Sequence, residues 1–275
     1  MANFTIADLK ALREQLGTGM VDTKKALEEA DGDVEKATEI LRLKGAKGNA
    51  KRADRTTSEG LVAVAEGTGS VTMIQLACET DFVAKNDKFI ALADKVVAAV
   101  AAAGASTLEE ALAAPAEGST VQQVIEEQAA TIGEKIELAK VTTLTGDAFA
   151  TYLHRTSKDL PPQVGVVVAY QGADAETARA VAQHIAMFDP TVVTRDDVPA
   201  EQVEKERALV TEIALGEGKP EAALPKIIEG RLTGFFKQIV LVDQDYARDS
   251  KQSVGKVLEA AGLTVSAFTR FKVGA

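Results

Sequence analysis

At Glu59 the apolar residues of this chain change period, and that change predicts an α+β architecture. Before it, Ile6, Leu9, Leu12 and Leu16 recur at three- and four-residue spacing, the interval of one helix face. After it, GLVAVAEG and SVTMIQLACE read as strands on either side of Gly67-Thr68-Gly69, a hairpin signal.

The helical part resolves into three short helices over residues 1–46. Thr5 caps the first, and Leu16-Gly17-Thr18-Gly19-Met20 breaks it, because paired glycines free the backbone for a tight turn. VDTKKALEEA is the second helix. Asp33 caps the third, VEKATEILRLKG, with Gly45 expected just past its end. A module this small has little core of its own. Met20 either fills space under the helices or offers an apolar contact from the glycine loop. Residues 47–58 then read as a basic helical linker. Six bases lie between Arg42 and Arg55 against one acid, Asp54. Such a stretch is a solvated tether or a contact for RNA or an acidic partner.

Residues 59–146 read as a first α+β unit. The hairpin is followed by a long helix through KFIALADKVVAAVAAAG, with Phe89, Leu92, Val96 and Val100 on one face. A helical connection leads to Gly133, and EKIELAKVTTLTG returns as a third strand. The pattern then repeats over residues 147–198 and 242–275. FATYLHRT and VGVVVAYQG are two strands, Asp174 caps a helix that ends before Pro190, Ser253 caps another, and LTVSAFTRFKV is the last strand. Between them, residues 199–241 form a charged helical excursion broken at Gly218, Pro220 and Pro225. Two related units emerge, each a three-stranded antiparallel sheet crossed by a helix. Their duplication rests on pattern alone.

Composition narrows the function classes. A net charge of −10 argues against a protein whose main task is coating nucleic acid. A single cysteine, Cys78, allows no intrachain disulfide and fits a reducing compartment. MANFTIADLK lacks a signal-peptide core, and the apolar run from Lys95 is too short to span a membrane, so a cytoplasmic location is expected. Only His154 and His184 are present, without metal-ligand spacing. No nucleophile elbow, phosphate loop or dinucleotide fingerprint appears, and no catalytic residue or cofactor is expected.

One constellation stands out. Cys78-Glu79-Thr80-Asp81-Phe82-Val83-Ala84-Lys85 sets an aromatic among polar residues where strand gives way to helix. Aromatics are 4% of the chain and Trp is absent, so each large ring matters. Phe82 is either core or a rigid wedge for a partner's pocket, with Asp81 as a negative charge beside it. Thr80 or Asp81 can cap the next helical turn.

LREQLGTGMVDTKKALEEADGDVEKATEILRLKG, ACETDFVAKNDKF, HIAMFDP, GKPEAALPKIIEGRL and the closing RFKVG resemble the bacterial elongation factor Ts family, in family order and across essentially the whole chain. The resemblance implies a factor that binds elongation factor Tu carrying GDP and speeds nucleotide release. It implies that the N-terminal module is ubiquitin-associated-like and touches the partner through Met20 and Val21. The family often has a second Met where Val21 stands here. Thr80, Asp81, Phe82 and Val83 match the segment credited with dislodging the partner's magnesium. His154 is a further candidate contact, within a stretch, HRTSKDLPPQVG, longer than the family pattern. Some members carry another C-terminal helix, and contacts through it are not expected here. A competing reading is an adaptor or RNA-binding accessory that uses the basic linker. An enzyme is the third.

Overall fold

The structure is a computed structural model and describes residues 3–274. Three helices open it: α1 (Ile6–Leu16), α2 (Met20–Glu29) and α3 (Val34–Arg52). Thr5 and Asp8 cap α1 reciprocally, and the Asp33 carboxylate accepts from the Glu35 and Lys36 amides at the start of α3. Leu9, Leu12, Ala26, Leu27, Ala37 and Leu41 form a small core, while Ile6 faces solvent. The expected stop at Gly45 is absent, and α3 runs on to Arg52. Tertiary packing explains this: a Cβ at Gly45 would lie 2.9 Å from the Ala130 Cβ on a neighbouring helix, so the bare backbone permits close approach. Much of the predicted linker is therefore a docked helix.

β1 (Glu59–Gly67) and β2 (Ser70–Cys78) form the expected hairpin around Thr68 and Gly69. α4 (Asp81–Ala84) is a single turn, and α5 (Asp87–Ala103) is the long helix, capped by Asn86. The connection holds α6 (Leu108–Ala113), a two-residue hairpin of β3 (Pro115–Ala116) and β4 (Ser119–Thr120), and α7 (Val121–Ile132). β5 (Ile136–Thr145) then pairs with β2 to give the order β1-β2-β5. The second unit repeats this route with β6 (Ala148–His154), β7 (Val164–Gln171) and α8 (Ala175–Phe188). After the excursion of α9 (Ala200–Gly216) and α10 (Leu224–Ile239) come β8 (Asp245–Tyr246), β9 (Asp249–Ser253), α11 (Val254–Ala260) and β10 (Thr264–Lys272). The order β10-β7-β6 places the second strand centrally in both sheets, with the last strand returning on its free side.

The two sheets stack face to face. Ile74, Leu76 and Leu61 meet Phe89, Leu92 and Val96 of α5, and the opposite face presents Val62, Val71 and Met73 to Val167, Phe271 and Val273. Val166, Val168 and Tyr170 point the other way, to Val181 and Ile185 of α8. β7 has no charged or amide side chain from Val164 to Tyr170 because both its faces are buried there, and only the exposed Gln171 at its end is hydrophilic. The result is helix, sheet, sheet, helix, an α+β layering. The excursion is a paired helical arm: Val210, Ala214 and Leu232 are buried within it, and Arg207–Glu229 and Arg231–Glu217 bridge its helices at 2.8 Å. Pro225 does not break it; it sits in the first turn of α10, where its missing N–H costs nothing.

Candidate functional site

The corner after β2 is built from both sides. Thr80 is the N-cap of α4, and its hydroxyl accepts from the Val83 amide at 3.4 Å. Asn86 caps α5 directly afterwards, so the chain turns twice within seven residues. Val83 and Ala84 are buried against the first core and anchor one side of the turn. Phe82, on the other side, is 74% exposed. The core alternative for this ring is overturned: α4 has a single inward face, and Val83 and Ala84 occupy it. Lys85 bonds Asp81 at 3.0 Å and lies 4.7 Å from the Phe82 ring centre, which leaves the ring flanked by charge but uncovered.

A second layer holds this corner from the turn after α7. The Glu134 carboxylate accepts from the Thr80 amide at 3.1 Å and the Thr80 hydroxyl at 2.7 Å. In return the Glu79 carboxylate accepts from the Lys135 amide at 2.6 Å and pairs with Arg55 at 3.1 Å. Burial raises the Glu79 pKa, but the Lys135 amide and Arg55 outweigh it and hold the group below its ordinary range. Burial, aided by the charges of Glu134 and Glu59, pushes the Cys78 thiol up to about 12, so it stays protonated and inert.

The other predicted residues lie apart. Met20 and Val21 begin α2 and are 41% and 65% exposed, so Met20 is not core filler. His154 ends β6, exposed, with its Nδ1 3.0 Å from the Tyr152 hydroxyl. Its backbone carbonyl accepts from Gln163, whose side chain donates to Glu59, the β1 partner of Cys78. His154 and the Phe82 corner thus share one end of the stacked sheets. His184 is fully buried and neutral: Nδ1 accepts from the Ala247 amide at 3.2 Å, which leaves Nε2–H to donate to Gln244 at 2.8 Å. Among the described residues no three His, Cys, Asp or Glu side chains converge as a metal site, and no helix is long and apolar enough to cross a membrane.

Three of the six bases in the basic stretch are ion-paired within the chain. Lys44 pairs with Asp22, Arg42 with Glu127 and Arg55 with Glu79, while Arg52 bonds Asn49 and the Ala129 carbonyl. Arg52's acceptors are neutral, so among the described residues Lys47, Lys51 and Arg52 of this run have no ion-pair partner.

Comparison with known proteins decides the family. The family model for elongation factor TS matches residues 79–275, which includes the whole Phe82 corner. The chain belongs to the elongation factor Ts family. It is 70% identical over 275 residues to elongation factor Ts of Clavibacter sepedonicus, covering all of both chains. It is 68% identical to that of Leifsonia xyli subsp. xyli and 56% identical to that of Micrococcus luteus, again over the full length of each. The elongation factor Ts resemblance drawn from TDFV and the TGM-x-D-x-KKAL module therefore holds. What sequence reasoning missed is the Glu79–Lys135 and Thr80–Glu134 clamp. The only local signal for it is Gly133, whose φ of +88° turns the chain out of α7 so that Glu134 can face Thr80.

Proposed function

We propose that this chain binds elongation factor Tu in its GDP-bound and nucleotide-free states and speeds GDP release, so that GTP can reload the partner during translation elongation. The observation that carries this reading is Phe82: a large ring exposed on a turn whose inner face and both caps are fixed. Burying such a ring in a partner's pocket contributes about 1.5–3 kcal/mol, and an aromatic held rigidly is what interface hot spots are made of. Family membership supplies the partner.

A nanomolar nucleotide complex holds about 12 kcal/mol. The factor does not oppose this head-on. It binds the nucleotide-free partner better than the loaded one, and by linkage each ligand weakens the other equally. Phe82 wedged between packed elements moves them as units, because packed interiors shift between discrete arrangements. With Thr80, Asp81 and Val83 forming its base, that shift displaces the partner's magnesium and phosphate-binding elements. The chain makes no covalent bond and needs no cofactor of its own.

The three-helix module, read as ubiquitin-associated-like, supplies a second contact through Met20 and Val21. His154 adds a third from the second unit. These roles suit a division into a three-helix module that runs through α3 to Arg52, a short connection (53–58), two core units and the arm, acting in the cytoplasm. The deciding experiment is release of labelled GDP from elongation factor Tu. Wild-type chain accelerates it, and Phe82→Ala lowers the stimulated rate about tenfold or more. Release at the wild-type rate by a folded Phe82→Ala protein would refute the wedge.

A further inference from the structure

We propose that Glu134 is the positioning residue of the Phe82 wedge, holding the corner through Thr80 from 54 residues away in sequence. This rests on the exchange reading above and deepens it. α4 has only four residues, too few for a helix to persist by itself. Its ring is 74% exposed and has only the Lys85 ammonium, itself on the same turn, 4.7 Å from its centre, so the ring's direction follows the backbone beneath it. That backbone has an inner anchor in Val83 and Ala84, but two buried aliphatic groups leave the turn free to rock.

Glu134 removes that freedom. Its two oxygens take the Thr80 amide at 3.1 Å and hydroxyl at 2.7 Å, a two-point grip by a charged acceptor. Donating its proton to Glu134 orients the hydroxyl, whose lone pair is then aimed at the Val83 amide. The Thr80 carbonyl accepts from the Ala84 amide at 3.1 Å, so the same residue closes the turn from both ends. The reciprocal bond from the Lys135 amide to Glu79 stops the two segments from sliding past each other.

The end of α7, just before the turn that carries Glu134, also meets the N-terminal module. The Thr131 hydroxyl, near the end of α7, lies between two acceptors, the Glu127 carbonyl of its own helix at 3.0 Å and the Leu16 carbonyl at 3.2 Å, and a Cβ on Gly17 would lie 2.9 Å from the Thr131 methyl, so the glycine loop packs closely here. The glycine loop that ends in Met20 and the corner that ends in Phe82 therefore both meet the C-terminal end of α7 and the turn that follows it. Glu134 fixes one contact point relative to the other.

The test pairs Glu134→Ala with Phe82→Ala and reads two signals. In the free protein, amide exchange at Val83, Ala84, Lys85 and Asn86 rises about tenfold in Glu134→Ala, as expected for loss of charge-assisted bonds, while amides of α5 and β2 keep their protection. With elongation factor Tu and labelled GDP, Glu134→Ala slows release at saturating factor about tenfold, yet costs less than about twofold when added to Phe82→Ala, because a positioning residue has nothing left to position. Unchanged protection at residues 83–86 would overturn the proposal. So would wild-type release by Glu134→Ala, or an equal loss on both backgrounds, which marks a merely structural role. If the wild-type chain itself fails to accelerate release, the exchange reading falls, and amide exchange in the free protein alone decides the role of Glu134.

Discussion

Two phenylalanines seven residues apart show how much a side chain's setting matters. Phe89 is fully buried on α5, where truncation to Ala costs about 3–5 kcal/mol. Phe82 is 74% exposed, where the same change costs the fold about 0.5 kcal/mol or less. A ring that the fold does not need is free to serve a partner. His184 is the opposite case, a polar group sealed in and satisfied. Burial holds its pKa below the ordinary value of 6.5, against the opposing effect of the hydrogen bond it donates to Gln244. The unfolded chain therefore binds a proton near pH 6 that the native state refuses. This contribution to stability is present above about pH 6.5 and is lost as pH falls through the folded pKa. Urea midpoints of the wild-type chain are expected to fall between pH 7.5 and 5.5, and His184→Gln is expected to flatten that dependence. An equal slope in both proteins would place the sensitivity in the carboxylates.

At the scale of elements, docking of α3 on α7 decides where the N-terminal module stands. Asn49 donates to the Glu126 carbonyl at 2.8 Å, Arg42 approaches Glu127 at 3.7 Å, and Gly45 faces Ala130. The ion pair is exposed and adds little, so close approach at the glycine carries the contact. Gly45→Leu is expected to push the helices apart at a cost of about 1–3 kcal/mol. The core should stay folded, trypsin should cut the Lys51–Arg55 stretch about tenfold faster, and stimulated GDP release should fall because the two contacts lose their fixed spacing. Unchanged cleavage would show that the module is held by something other than this contact.

Across the whole molecule, the arm stands outside the layered core. Its base is closed by a short parallel bridge, Val192 to Val240, and by bonds from the Leu241 and Val242 amides back to Val192 and Val193. Val240 and Leu241 are fully buried there, whereas α9 and α10 bury only Val210, Ala214 and Leu232 among their described residues. Replacing residues 200–238 with a short Gly-Ser linker is therefore expected to shift the thermal midpoint by less than about 4 °C, followed by circular dichroism. A drop beyond that range would mean that the arm braces the core.

The sequence alone determined what depends on near neighbours. Thr5, Asp33, Asp174 and Ser253 each cap the helix assigned to them, because a cap reaches only two or three residues along the chain. The β1–β2 hairpin and the apolar face of α5 follow from local turn chemistry and period. The short hairpins β3–β4 and β8–β9 escaped notice because β3, β4 and β8 have only two residues each and β9, DSKQS, has no apolar residue to set a period. Tertiary structure decided the rest. α3 passes Gly45 because α7 lies against it, and Phe82 faces outward because Val83 and Ala84 fill the inner side of their turn. Glu134 reaches Thr80 only after β5 has returned beside β2. Those contacts join residues tens of positions apart, and no local propensity encodes a partner that only the completed sheet brings within hydrogen-bond distance.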